Sequence, residues 1–490
     1  MYRPLTQRIL LVLWLVLGAG LRLLALPPTL GDLDAANFAA ALERFDPTHQ
    51  APHWPAYPVY VLASKGLHAL GLTPAVALGL VGVVAFVAAA PVFFAGLSAR
   101  FDRTTAHVLT AAVSLAPGAV VSASWAGTEG LGLALLLAQV GVALRTPPAR
   151  DAVYGPVAVG AVGAVGALAG LGLGVRLSWW PLYLGVLAAA AWASHRTDRS
   201  DRRDGQDRPD RRSRHLLAGL AAGTASWLVP LVVIVGPDAL VGFVGFATGH
   251  FTTWGGAISA DDGALERTLV AGDAIAAGFG GALPFVGVFV AAVVGLAVRN
   301  RRPALAPLAL PAAIVAAYAV WCFLAQNVAR PRHTLPIAVA LLLALAFVVA
   351  HRGRRWAAVP IGAVLIAAAG HAAWIQGRTL PPYAQAALHV QTVAAQEPVQ
   401  VFAGRQGRLL ERLIPGVRLW RPATAAVLAR EAAAAHRRGA TVFVLDDAPG
   451  AELLETTEAL TFETQSASRG PDARVVLYRY SNEENRVASR

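Results

Sequence analysis

Long apolar runs separated by short polar gaps fill the first 375 positions of this chain. A membrane span needs roughly 20 mainly apolar residues. Eleven segments approach that length, at about 8–26, 73–98, 105–122, 127–145, 152–172, 178–194, 215–236, 271–298, 304–325, 335–350 and 356–375. Residues 57–72 predict a helical approach to the second span, and 238–248 a half-span. After about residue 380 the period shortens. PVQVFAG (398–404), GVRLW (416–420), TVFVLDD (441–447) and ARVVLYRY (473–480) predict strands, with helices over RQGRLLERLI and AAVLAREAAAAHRRG. The expected architecture is a polytopic α-helical membrane domain, 1–379, followed by a small α/β domain, 380–490.

The gaps carry arginine on alternate sides. With the N-terminus in the cytoplasm, the inside loops hold Arg100 and Arg103, Arg145 and Arg150, the arginine-rich run 195–215, Arg299 to Arg302, and Arg352 to Arg355. The outside loops, 27–72 and 237–270 among them, are longer and poorer in arginine. This obeys the positive-inside rule, and an odd number of spans puts the C-terminal domain on the extracytoplasmic side of the plasma membrane. The run 195–215 interleaves arginines with aspartates, as a solvated linker does. The segment before Pro27 lacks a small-residue cleavage site and is expected to stay as a signal-anchor helix.

Composition agrees with a membrane origin. The chain of 490 residues is 56% hydrophobic and 14% charged, against about 25% charged in soluble domains. Its net charge of +12 resides in loop clusters, which argues against a nucleic-acid partner. Cys322 is the single cysteine, so no intrachain disulfide forms.

One outside stretch departs from the apolar pattern: GDLDAANFAAALERFDPTHQAPHWPAYPVYV, residues 31–61. Phe38, Leu42 and Phe45 share a helical face, which predicts a short amphipathic helix at the membrane surface, capped by Asp32 or Asp34. A cap accounts for one acid. The second is followed by His53-Trp54-Pro55-Ala56-Tyr57-Pro58, whose prolines impose a rigid, non-helical course suited to a binding loop. A carboxylate there can act as general base toward an acceptor hydroxyl, or hold a divalent cation such as magnesium or manganese against a phosphate leaving group. The metal ligands, if any, would be Asp32 and Asp34; no cofactor is otherwise indicated.

This loop resembles the first periplasmic loop of the GT-C membrane glycosyltransferases, especially the bacterial branch similar to protein O-mannosyltransferases and lipid A aminoarabinose transferases (glycosyltransferase family 39-like). Asp34-Ala35-Ala36-Asn37-Phe38-Ala39 resembles the D-E/S-x-x-F/Y-A setting of those proteins. Pro52 to Tyr60 resembles their PHPPGYPLY segment. Ala35 stands where several relatives carry a second acid, and Trp54 and Ala56 replace proline and glycine. The resemblance implies that Asp34 is the acceptor-activating base, with Asp32 auxiliary.

Other polar residues follow the same division between bland and chemical roles. Glu129, in SASWAGTEG, either interacts with the dipole of the helix it starts or contributes to the site. Arg176, beside Trp179 and Trp180, either snorkels to the interface or contacts a phosphate. In GHFTTWGGAISADDGALER, His250 and Trp254 suit packing against a sugar ring, and Asp261-Asp262 a helix cap. QNVARPRHTLPI places Arg330, Arg332 and His333 outside, against the positive-inside trend. It resembles the P-R-Y-x-x-P signal of the superfamily with His333 in place of tyrosine, and Arg332 is the residue expected to bind a donor phosphate bidentately.

Together these features predict a glycosyltransferase that moves a sugar from a polyprenyl-phosphate donor to an envelope lipid, glycan or protein at the outer face. His53, Tyr57, Glu129, Arg176, His250, Trp254, Arg330, Arg332 and His333 are its candidate binding residues. The alternatives are a transporter or lipid flippase and a catalytically silent envelope scaffold. A transporter usually shows duplicated halves with acids in midmembrane spans, and no such repeat is present.

Overall fold

The computed structural model describes residues 3–146, 156–201, 211–254, 256–258, 263–297, 306–352, 358–453, 456–464 and 474–480. Among them, six helices are long and apolar enough to cross a membrane, and up to eight if each of two bent pairs forms one span. The remaining three of the eleven expected spans fold as the helices Glu129–Arg145, Pro156–Val175 and Trp180–Asp201, whose described apolar parts are shorter. The half-span is the helix Asp238–Gly249, and the approach helix is Pro58–His68.

Two expected single spans are broken. Arg103–Leu115 and Pro117–Ser124 meet at 52°, because Pro117 has no N–H to continue the ladder. The expected span 271–298 is instead two helices, Ala264–Gly278 and Ala282–Ala297, bent by 77°. Gly280 and Gly281 lie between them at φ +89 and +116, a conformation open mainly to glycine. Apolar residues continue through the bend, so hydropathy alone could not reveal it.

Small residues set the helix spacing. Gly163, Gly166 and Gly170 of Pro156–Val175 face Gly219 and Gly223 of Arg211–Val235, and the two backbones touch. A Cβ on Gly219 would run into the Gly163 carbonyl, which cannot move aside as a flexible side chain would. Gly219→Leu is therefore expected to destabilise the fold by about 1–3 kcal/mol. Gly160→Ala, where the added methyl meets no neighbour, is expected to be silent. Thermal melts of the two purified variants in detergent check this; equal midpoints would refute it.

Arg22 lies within the first long helix, Arg3–Leu24, and is almost fully buried. It donates to the carbonyls of Gly18 (2.9 Å) and Ser114 (2.8 Å), and its guanidinium carbon lies 3.6 Å from the centre of the Phe86 ring. These contacts account for an arginine inside an apolar helix.

Among the described residues the C-terminal sheet has five strands: β1 (Val399–Phe402), β2 (Arg418–Trp420), β3 (Thr441–Leu445), β4 (Thr456–Glu463) and β5 (Arg474–Tyr480). Their order is β2-β1-β3-β5-β4, with β1 parallel to β2 and β3, and β5 antiparallel to β3 and β4. β4 was not expected from sequence; its TTEALTFE mixes acids with apolar residues. Alternate residues serve opposite faces. Phe402, Val442 and Val444 pack with Leu428 and Ala432 of the helix Ala425–Arg437. Val401, Phe443 and Leu445 pack on the other face with Leu409 and Leu410 of Gly407–Leu413 and with Tyr383 and Val390 of Pro382–Ala394.

That second core extends into residues 31–61. The helix Leu33–Glu43 contributes Phe38, Ala39 and Leu42 to it. The apolar face of the expected surface helix is thus covered by protein, between the C-terminal layer and the helix Pro74–Ser98. Its apolar stripe meets protein because the domain offers a complementary face. Polar contacts add to the clamp: Arg412 pairs with both carboxylate oxygens of Glu43 (3.0 and 3.1 Å), and Arg408 donates to the His49 carbonyl (2.6 Å).

Candidate functional site

The site grows from the start of the helix Leu33–Glu43. Asp32 is its N-cap, with φ −151, and Asp32 Oδ1 accepts the Ala35 N–H at 2.7 Å. This resolves the choice of cap between the two acids. Asp32 Oδ2 accepts from Trp125 Nε1 at 3.3 Å. Gly31 permits the approach, since a Cβ there would strike the Trp125 ring.

Asp34 lies within the first turn and is left for other work. Its Oδ2 accepts from Arg332 Nη2 at 2.6 Å, across 298 positions of sequence. Arg332 Nη1 is 3.7 Å from Asp32 Oδ2, so one guanidinium faces both acids. The Asp34 and Arg332 side chains are 27% and 20% exposed, and so remain reachable.

His53 Nε2 lies 3.7 Å from Asp34 Oδ1. The His53 ring is surrounded by Phe38, Tyr57 and Phe246, with centroids at 5.6, 5.1 and 6.4 Å. The chain that delivers His53 and Tyr57 takes an unusual course. Ala51-Pro52 and Trp54-Pro55 are cis, and Ala56 and Tyr57 both have positive φ, at 70 and 44. Two consecutive non-glycine residues in that region are strained, and such strain persists only where the surroundings enforce it. Here Trp54 is wedged against Phe243 and Leu231, and Phe38 packs edge-on against Tyr57 and Tyr60.

A second ion pair lies close by. Arg176 Nη1 is 2.7 Å from Glu129 Oε1 and donates to Thr128 Oγ1 at 2.9 Å. Both side chains are buried. Arg176 therefore does not snorkel to the interface; it follows the C-terminus of Pro156–Val175 and meets an acid at the N-terminus of Glu129–Arg145. Each charge sits at the helix end that favours it. The hydroxyl of Tyr57 feels both pairs, and burial pushes its acidity well below that of an ordinary tyrosine.

The remaining candidates lie further out. Arg330 acts on Asp34 through its charge. The His333 ring nitrogen Nδ1 is 2.8 Å from the Asn327 carbonyl, and the His333 carbonyl accepts from Tyr318, which shapes the turn before Arg332. His250 Nε2 lies 3.0 Å from the Ala325 carbonyl, and its ring stacks on Phe246, one ring removed from His53. Trp254 belongs to a π-helical turn, His250–Trp254, and its side chain lies outside the described residues, as do Asp261 and Asp262. Trp125 and Thr128 were not singled out in sequence. A tryptophan near the end of an apolar segment reads as an interfacial anchor, and nothing local shows that it meets Asp32.

The electrostatics can be assigned for the groups around Asp34. Burial pushes the Asp34 carboxyl up, but Arg332, His53 and Arg330 act against it, with the Arg332 hydrogen bond, and hold it far below the usual carboxylate range. Burial lowers the His53 pKa below its ordinary value, and the Asp34 charge offsets only part of that. The site at neutral pH therefore contains a carboxylate, a guanidinium and a neutral imidazole.

A divalent cation does not fit this arrangement. Asp32 is occupied by its helix and by Trp125, Arg332 stands where a cation would face both acids, and no group of three or more metal-ligating side chains occurs among the described residues.

No family model and no curated protein matches the sequence. Among solved structures, ArnT from Cupriavidus metallidurans matches with a TM-score of 0.56 at 14% identity, over 95% of this chain and 97% of that one, both bound to undecaprenyl phosphate and in the apo state. The two chains share a fold. AglB, an archaeal oligosaccharyltransferase from Archaeoglobus fulgidus, in complex with an inhibitory peptide and a dolichol-phosphate, matches at a TM-score of 0.48 and 11% identity, over 91% of this chain and 70% of that one. The expected polytopic helical domain followed by a small C-terminal α/β domain is the arrangement that this chain shares with ArnT, and no finer assignment follows at this identity.

Proposed function

We propose that this chain is an integral-membrane glycosyltransferase of the plasma membrane. It takes a sugar from a polyprenyl-phosphate donor and passes it to an envelope lipid, glycan or protein on the extracytoplasmic side, where the C-terminal domain lies. The observation that carries the reading is the meeting of Asp34 and Arg332, partly exposed, at 2.6 Å. The ArnT fold, seen elsewhere with undecaprenyl phosphate bound, is consistent with such a donor.

In the reaction the acceptor hydroxyl oxygen attacks the anomeric carbon. The bond from that carbon to the donor phosphate oxygen breaks, and the phosphate leaves with the electron pair. Asp34 accepts the hydroxyl proton as its oxygen becomes bonded to carbon. Arg332, supported by the charge of Arg330, stabilises the growing negative charge on the leaving phosphate. Asp32 fixes the helix that carries Asp34, and His53 and Tyr57 line the acceptor side. No step requires a metal ion.

The test is transfer itself. The purified chain in nanodiscs, given a radiolabelled polyprenyl-phosphate sugar and envelope extract, is expected to yield a labelled acceptor and free polyprenyl phosphate. Label entering sealed proteoliposomes without forming any product would instead establish a transporter. Mass spectrometry of envelope lipids and glycans with and without the gene then identifies the acceptor.

A further inference from the structure

The proposed roles of Asp34 and Arg332 place two demands on one guanidinium. A base must be basic enough to take the acceptor proton, yet the Asp34 carboxylate is held through Oδ2 by Arg332 Nη2 at 2.6 Å, which weakens it. The same fork is the group read as holding the donor phosphate. The present grip on the carboxylates is asymmetric: one short contact to Asp34, and a second nitrogen 3.7 Å from Asp32, beyond hydrogen-bond reach. A phosphate offers a guanidinium several charged oxygens in the parallel geometry its fork prefers. Arg332 also lies in the first turn of the 22-residue helix Pro331–Arg352, the end of a helix that favours an anion.

We propose that Arg332 is a shared cation that passes from the Asp34 carboxylate to the donor phosphate as the donor binds, so that the base is released only in the donor complex. This rests on the reading of Asp34 as base and Arg332 as phosphate ligand. It orders the substrates: the donor seats first, and the acceptor hydroxyl meets a competent carboxylate only afterwards. His53 Nε2 lies 3.7 Å from the other Asp34 oxygen, beyond hydrogen-bond reach, so that oxygen stays open to the acceptor when the guanidinium leaves. The strong depression of the Asp34 pKa by its cationic neighbours is that of a donor-free, weakly basic state.

The consequence is a gain in phosphate affinity that depends on Arg332, which separates the exchange from a general field effect. Asp34→Asn removes the competitor for Arg332, so the full-length chain in nanodiscs is expected to bind undecaprenyl phosphate about tenfold more tightly, the scale of one charge-assisted hydrogen bond. In an Arg332→Gln background the same change is expected to give no gain, and undecaprenol is expected to bind the same in all four proteins. Unchanged or weaker phosphate binding by Asp34→Asn overturns the exchange. So does an equal gain with and without Arg332, which marks a general field effect, or a gain with undecaprenol. Where Arg332→Gln fails to insert, Arg332→Lys, which keeps the charge and loses the fork, is expected to shrink the gain, and a full gain there overturns the proposal. Dead Asp34→Asn with unaltered affinity would sink the exchange and leave the base role standing. Tighter binding with full turnover would do the reverse.

Discussion

Asp34→Asn lowers the rate of sugar transfer by about 10²–10⁴-fold, the range that a positioned general base contributes. The substitution keeps the shape of the side chain, and its site is partly exposed, so insertion and melting temperature are expected to stay near the parent values. Asp32→Asn is the informative companion. Asparagine caps helices about as well as aspartate, so the bond to the Ala35 N–H survives. Its effect on transfer is expected to be at least tenfold smaller than that of Asp34→Asn. Equal losses would mean that the pair acts as a unit, and full turnover in Asp34→Asn would end the assignment of a base. The pH profile adds a second readout. The Asp34 carboxyl titrates below its ordinary range and His53 below its own, so neither changes charge from neutral pH upward in the donor-free protein. The profile of kcat/KM, which reports free enzyme groups, is expected to be flat there. An acid limb near the ordinary carboxylate pKa would place another group in control.

What the sequence disclosed, and what it hid, follows from the cost of polarity in an apolar chain. Asp32, Asp34 and Arg332 stood out because acids and arginines among long apolar runs require a reason. Their meeting could not be read, since nothing local in QNVARPRHTLPI points to GDLD 298 positions earlier. Arg176 was visible for the same reason, but its partner was not. Either an interface or an acid satisfies a guanidinium, and only the fold shows that Glu129 lies 2.7 Å away. The amphipathic helix was correctly located at Leu33–Glu43, and its apolar face wrongly assigned to lipid. An apolar stripe states that something covers it, and the covering layer is assembled from residues beyond 380. The bend at Gly280-Gly281 was missed because hydropathy averages across it, while β4 was missed because its acids broke the alternation that betrayed the other strands.

The buried pair Glu129–Arg176 supplies the other large effect, on stability. Its side chains are 2% and 8% exposed, so the loss of one partner leaves the other as an uncompensated charge away from water. Glu129→Gln and Arg176→Met are each expected to cost about 3–5 kcal/mol. The loss should be smaller for Glu129→Gln, since Thr128 Oγ1 still accepts from Arg176 and the glutamine carbonyl replaces one oxygen. Removing both charges together is expected to recover most of that cost, because well-packed neutral groups in such a place are often as stable as the pair. Unfolding of the four purified proteins in mixed detergent, followed by circular dichroism, gives the cycle. A double variant as unstable as the sum of the two single ones would show that the charges act independently. The pair would then be a feature of two helix ends that merely touch. A strong coupling would make it the lock that holds Glu129–Arg145 against the end of Pro156–Val175, beside a Tyr57 hydroxyl that feels both this pair and Asp34.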